Sequence, residues 1–160
     1  MRGTLLFATM MTASLAALAQ SPSLVGTWTL TGADKILPDG RQVQDYGANP
    51  HGIAIFTHDG RYVVEIFRGD RKKFASNDRA NATPEEYKDA ILSTSAHFGR
   101  YVVDAGKGTI TFNVDRASYP NWDDTTRVTK FTLVGDTLTW RTPARPDGSI
   151  PVTILTRVAH

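Results

Sequence analysis

From Leu24 onward, apolar and polar positions alternate in a series of short runs. They are Leu24 to Thr31, a weak Gln42 to Gln44, Gly52 to Thr57, Tyr62 to Arg68, Gly99 to Asp104, Thr109 to Asp115, Thr125 to Val134, Thr137 to Arg141 and Ile150 to Val158. A period of two is what a strand with one face on a core requires. Asp39-Gly40, Asp59-Gly60, Gly106-Lys107-Gly108, Gly135-Asp136 and Asp147-Gly148 separate the runs and supply residues that tolerate positive φ in tight turns. The series predicts an all-β fold in which consecutive strands pair as an antiparallel up-and-down meander. Its length suits a barrel of about eight to ten strands.

One stretch breaks the period. Thr83-Pro84-Glu85-Glu86 offers a capping hydroxyl, a proline at the first helical position and an acid at the third, the pattern of a capping box. Tyr87, Ile91, Thr94 and Phe98 follow at helical spacing, so one α-helix is expected over Pro84 to Phe98, ended by Gly99. The polar approach from Gly69 to Ala82 fits a lid over a barrel opening as well as a helix packed outside it. His97 falls in the last turn of that predicted helix, where the dipole favours the imidazolium.

The N-terminus reads as targeting rather than structure. Arg2 precedes an apolar stretch from Leu5 to Leu18, and Ala17-Leu18-Ala19 is the small-residue pattern that a signal peptidase reads. Residues 1–19 are therefore expected to be a signal peptide and Gln20 to His160 one barrel domain, exported to the periplasm or secreted. The stretch is short for a span of roughly 20 residues, so no stable membrane insertion is expected. Cleavage takes Arg2 from the 18 cationic side chains and leaves 17 against 16 anionic ones. That balance disfavours nucleic acid as a partner. The chain has no cysteine, which excludes disulfides, thiolate metal sites and lipid anchoring through a cysteine.

The two ends of the barrel segment carry a matched pair, Gly26-Thr27-Trp28 on the first strand and Arg157 on the last. Further pieces are Leu24-Val25, Asn49-Pro50-His51-Gly52, Phe56-Thr57-His58-Asp59-Gly60-Arg61, Phe74-Ala75-Ser76, Asp78-Arg79, Thr83-Pro84-Glu85-Glu86-Tyr87, Phe98-Gly99-Arg100-Tyr101 and Pro120-Asn121-Trp122. In order and spacing these resemble the bacterial and fungal lipocalin-like domain family. The resemblance implies a lipocalin-like barrel in which Arg157 covers the Trp28 indole and seals one end. Between Thr109 and Val114 the chain departs from that pattern, with Phe112 and Asn113 where His residues are expected. A His-based catalytic or metal capacity is therefore not carried over.

A barrel sealed at one end is open to ligand only at the other. The expected pocket residues are Tyr62, Phe74, Tyr101, Trp122 and Arg127, with Arg79 and His97 at its mouth. Arg127 shares a strand face with Phe131 and Leu133, so it is a candidate buried cation needing an acidic partner, with a rim pairing to Asp123 or Asp124 as the other reading. Asp78 and Arg79 either pair with each other or hold a polar head group. Four scattered histidines and no thiolate predict no metal, and no cofactor is expected. No serine-hydrolase elbow, phosphate loop or dinucleotide fingerprint is present. The expected function is non-covalent binding of a small apolar or amphipathic molecule. The alternatives are a pocket enzyme of isomerase, cyclase or dehydratase type, and a filled barrel with a structural role.

Overall fold

The turn glycines do what their neighbours require: Gly40, Gly60, Gly108, Gly135 and Gly148 all take positive φ, and each closes a hairpin or loop between strands. The computed structural model describes residues 23–159; the expected signal peptide and His160 lie outside the described residues. In chain order the elements are β1 (Gly26–Ile36), β2 (Gln42–Gln44), β3 (His51–Phe56), β4 (Arg61–Phe67), α1 (Pro84–Leu92), β5 (Thr94–Asp104), β6 (Thr109–Ala117), a single 3-10 turn (Pro120–Trp122), β7 (Thr125–Val134), β8 (Thr137–Arg141) and β9 (Ile150–Arg157). All pairs are antiparallel and neighbours in sequence are neighbours in the sheet, except that β2 folds back on the far end of β1 and leaves β1 to pair with β3. Pairing of β1 with β9, from Trp28 opposite Arg157 to Ile36 opposite Ile150, closes an eight-stranded barrel.

The helix is shorter than its sequence predicts. Thr83 caps it through both arms of a capping box, accepting the Glu86 N–H at 3.2 Å while the Glu86 carboxylate accepts the Thr83 N–H at 2.8 Å. It stops at Leu92, and Thr94 already belongs to β5. Thr94, His97 and Phe98 are therefore strand residues, and the expected placement of His97 at a helix C-terminus is wrong. The reason is in the packing. On the first half of β5 the inward positions are polar, Ser95 and His97, while Phe98 faces out, so the apolar signal falls on the solvent side and imitates a helical face. Gly99 does not end a helix either. It sits at a β-bulge, where a Cβ would meet the Asn113 carbonyl oxygen at 2.1 Å, so only glycine lets β5 and β6 approach there.

The core lies toward one end of the barrel. Leu24, Trp28, Phe56, Ile110, Leu138 and Leu155 are each at most 1 % exposed and fill that half solidly. The seal expected from the resemblance is present. Arg157 stacks on the Trp28 indole with its guanidinium carbon 4.1 Å from the ring centroid, and donates to the Val25 and Ser23 carbonyls at 2.7 and 2.9 Å. Trp28 Nε1 donates to the Leu24 carbonyl at 2.8 Å. Gly26, at φ +131°, allows the guanidinium to lie within 3.3 Å of where a Cβ would stand.

Candidate functional site

Toward the other end the inward positions stop filling the barrel. They leave a cavity of about 580 Å³, within the range of small-molecule sites. Val64, Ile66, Phe112 and Trp140 form apolar wall, and Ser95, His97, Arg127 and Thr129 place polar groups among them. Tyr46, Tyr119, Trp122 and the 142–146 loop surround the mouth. Alternation explains the change of character. On β7 the inward series runs Arg127, Thr129, Phe131, Leu133, so its polar half lines the cavity and its apolar half joins the solid core.

Trp122 is held over this space by its local sequence. Pro120 opens the 3-10 turn, the Thr125 hydroxyl donates to the Trp122 carbonyl at 2.6 Å, and the Asp123 carboxylate accepts the Ala117 N–H at 2.8 Å. Arg127 lies flat on the Trp122 ring at 3.8 Å from its centroid. Its Nη1 is buried with no hydrogen-bond partner, the single side-chain atom so placed among the described residues. The rim pairing with Asp123 or Asp124 is not made: both carboxylates go to Arg116, at 3.8 and 2.9 Å. Burial lowers Arg127 from its ordinary value, yet a guanidinium remains charged at neutral pH.

His97 borders the same indole, its ring edge-on to Trp122 at 6.1 Å. The Tyr62 hydroxyl lies 2.9 Å from His97 Nδ1, and both rings contact Phe112, at 4.7 and 5.9 Å. Burial first, and the Arg127 charge second, push His97 down to about 4, so the imidazole is neutral at physiological pH, opposite to the imidazolium expected from a helix end. Burial likewise pushes the Tyr62 phenol up.

The structure thus brings Tyr62, His97, Trp122 and Arg127 together and leaves three expected residues elsewhere. Tyr101 packs edge-on against Phe56 in the solid half, with its hydroxyl donating to the Thr57 carbonyl at 3.1 Å. Phe74 packs on Tyr87 at 5.8 Å beside α1. Arg79 is exposed, and only its carbonyl is engaged, by the Tyr87 hydroxyl at 2.8 Å. Asp78 turns to the Ala80 N–H and the Asn81 amide rather than to Arg79, so the expected Asp78–Arg79 pair is not formed. His51 and His58 are exposed.

The mouth has features that no sequence motif announces. Asp45, with its side chain 10 % exposed, receives Arg145 through two hydrogen bonds of 2.6 and 3.2 Å and Lys35 at 3.1 Å, tying the chain after β2 to the 142–149 loop. The partners are 100 residues apart, which leaves no local signal. The last turn of α1 reaches the same region, where Ile91 and Leu92 line a smaller hollow of about 260 Å³ with Tyr46, Tyr119 and Trp122. Among the described residues no cluster of three or more His, Cys, Asp or Glu side chains can hold a metal ion, and no helix is long and apolar enough to cross a membrane.

Comparison with curated proteins gives no match. The model of the lipocalin-like domain matches residues 25–157, which runs from the strand bearing Trp28 to the arginine that covers it. A closed eight-stranded antiparallel barrel with an Arg-on-Trp seal and a match over nearly all of its strands place the chain in the lipocalin-like domain family.

Proposed function

We propose that the protein is an exported carrier of a small, largely apolar molecule with an acidic end, held in the open half of the barrel. One observation carries the reading: the Arg127 guanidinium, buried at the cavity wall with Nη1 unpartnered. A buried cation without a counter-ion costs stability, and such a group persists where something else supplies the charge. Val64, Ile66, Phe112, Trp122 and Trp140 then provide affinity through area removed from water, about 25 cal/mol per Å² of apolar surface. His97 and the Trp122 indole flank the acid, and Tyr62 stands behind His97. The Leu5 to Leu18 stretch and the Ala17-Leu18-Ala19 ending support export.

The test is native mass spectrometry of the protein recovered from a bacterial periplasm, before and after organic extraction. A bound mass of an organic acid, lost on extraction and much reduced in Arg127→Met, is the expected result. An empty protein that also takes up neither N-phenyl-1-naphthylamine nor dodecanoate overturns the carrier reading. An enzymatic reading finds less support. The two carboxylates lining the cavity are engaged, Asp45 by Lys35 and Arg145 and Asp34 by the Gln42 amide at 2.7 Å, and His97 is a weak base, so no free base stands beside Arg127.

A further inference from the structure

The Tyr62 hydroxyl has a single hydrogen-bond partner among the described residues, His97 Nδ1, and the Tyr62 ring is buried against those of Phe56 and Phe112. If Nδ1 carried the imidazole proton, the phenolic hydrogen would be left without an acceptor inside an aromatic core. The economical arrangement has Tyr62 donating to Nδ1, which fixes the imidazole proton on Nε2. Nε2 is the nitrogen left over on a ring that lines the cavity, and no protein group within the described residues bonds it. His97 and Arg127 both border Trp122, and both border Phe112, Arg127 as its partner across the β6–β7 ladder and His97 by ring contact.

Resting on the carrier reading above, we infer that His97 is the second donor of the head-group site, and that the Arg127 guanidinium and His97 Nε2–H together take the two oxygens of one carboxylate. The ligand class is therefore a monocarboxylic acid with an apolar body. One fixed positive charge and one neutral donor match a single negative charge. A phosphate monoester, with nearly two charges, would find one unpaired cation, Arg127, because Lys35 and Arg145 at the mouth are taken by Asp45. The groups that face His97 are Tyr62 from β4, Arg127 from β7, and the Phe112 and Trp122 rings; none is a carboxylate. An arriving carboxylate is then the first anion His97 meets, and its titration must respond.

Nitrogen-15 NMR of the imidazole rings in the wild-type protein tests this with dodecanoate, and with dodecan-1-ol as the uncharged control. In the free protein His97 is expected as the neutral Nε2–H form, with both tautomers appearing in Tyr62→Phe. Saturating dodecanoate is expected to move the His97 Nε2 resonance and to raise its titration midpoint from about 4 by a unit or more, whereas dodecan-1-ol does neither. His97→Phe is expected to weaken dodecanoate roughly tenfold and His97→Gln, which keeps a donor, far less. An Nδ1–H tautomer in the free protein overturns the inference without any ligand, as does bound dodecanoate that leaves His97 unmoved while Arg127→Met abolishes binding. In that last case the carrier reading stands and only the second donor falls. If wild type binds neither probe, both fall together.

Discussion

The barrel carries two arginines stacked on two tryptophans, one pair at each end, and they differ in what surrounds the guanidinium. Arg157 lies 4.1 Å from the centre of the Trp28 ring and spends its hydrogens on the Val25 and Ser23 carbonyls, with Asp136 3.5 Å away. Arg127 lies closer to its indole, at 3.8 Å, but retains a buried nitrogen with nothing to bond. The same stacking geometry thus serves closure where the backbone supplies acceptors, and leaves a vacancy in chemistry where the wall is side chain only. Stacking is worth roughly 0.5–2 kcal/mol in either place; the hydrogen bonds make the difference.

The tryptophans give the largest expected contrast. Trp28 is fully buried, so Trp28→Ala is expected to cost about 3–5 kcal/mol, seen in urea denaturation as a large drop in midpoint. Trp122 is partly exposed at the mouth, and Trp122→Ala is expected to cost about 1 kcal/mol while markedly weakening dodecanoate. Equal losses of stability would mean that the two ends are not different in kind.

The pH dependence of stability comes next in size. His97 titrates near 4 in the folded protein against about 6.5 when unfolded, so between those values the unfolded chain binds the extra proton. Stability is therefore fully present above pH 6.5 and is lost as pH falls toward 4, by about 3 kcal/mol for this one group. No histidine is among the buried residues of the solid half, and His58 in the turn at that end is exposed, so the difference between wild type and His97→Gln isolates the open half. Parallel stability profiles for the two proteins over that window would show that the ring is not buried as described.

Substituting the arginines separates closure from binding at smaller cost. Arg157→Met is expected to destabilise by about 1–2 kcal/mol, because two carbonyls lose charge-assisted donors, and to leave ligand affinity nearly unchanged. Arg127→Met is expected to be neutral or stabilising in the free protein, since it removes a buried unpaired charge, and to lower dodecanoate affinity tenfold or more. Thermal melts with and without dodecanoate read both effects. A destabilised Arg127→Met with intact affinity would make Arg127 a second structural clasp.

Much of the strand framework was legible in the sequence because runs such as Leu24 to Thr31, Thr109 to Asp115 and Thr137 to Arg141 alternate apolar and polar positions, and they form β1, β6 and β8. The family resemblance added the Arg157 seal. Arg127 was legible for the complementary reason, a charge on an otherwise apolar face. The open half obscured the rest. Its walls need polar side chains inside, so Ser95 and His97 against an outward Phe98 looked like one side of a helix, and the Tyr62–His97 bond could not be read from residues 35 apart. Phe74 and Arg79 are expected at the pocket from a polar loop whose side-chain directions no periodicity fixes, whereas Phe74 packs on Tyr87 and Arg79 stands exposed.

The smallest expected effect concerns the rim. Arg145 is the residue of the 142–149 loop that reaches across to Asp45, and its side chain is 38 % exposed, so Arg145→Ala should cost no more than about 1 kcal/mol. Asp45 keeps Lys35 and is not left uncompensated. The loop, however, loses its tie to the chain after β2, and the wall formed by Thr142, Pro143 and Pro146 is free to move. Ligand release should therefore quicken while the equilibrium stability of the empty protein hardly changes, because the mouth contributes little to the core that Trp28 and Arg157 close. Stopped-flow displacement of N-phenyl-1-naphthylamine by dodecanoate measures the release rate. A several-fold rise with an unchanged melting temperature assigns the Asp45–Arg145 pair to gating; an unchanged rate makes it an ordinary surface ion pair and places the path of exit elsewhere on the rim.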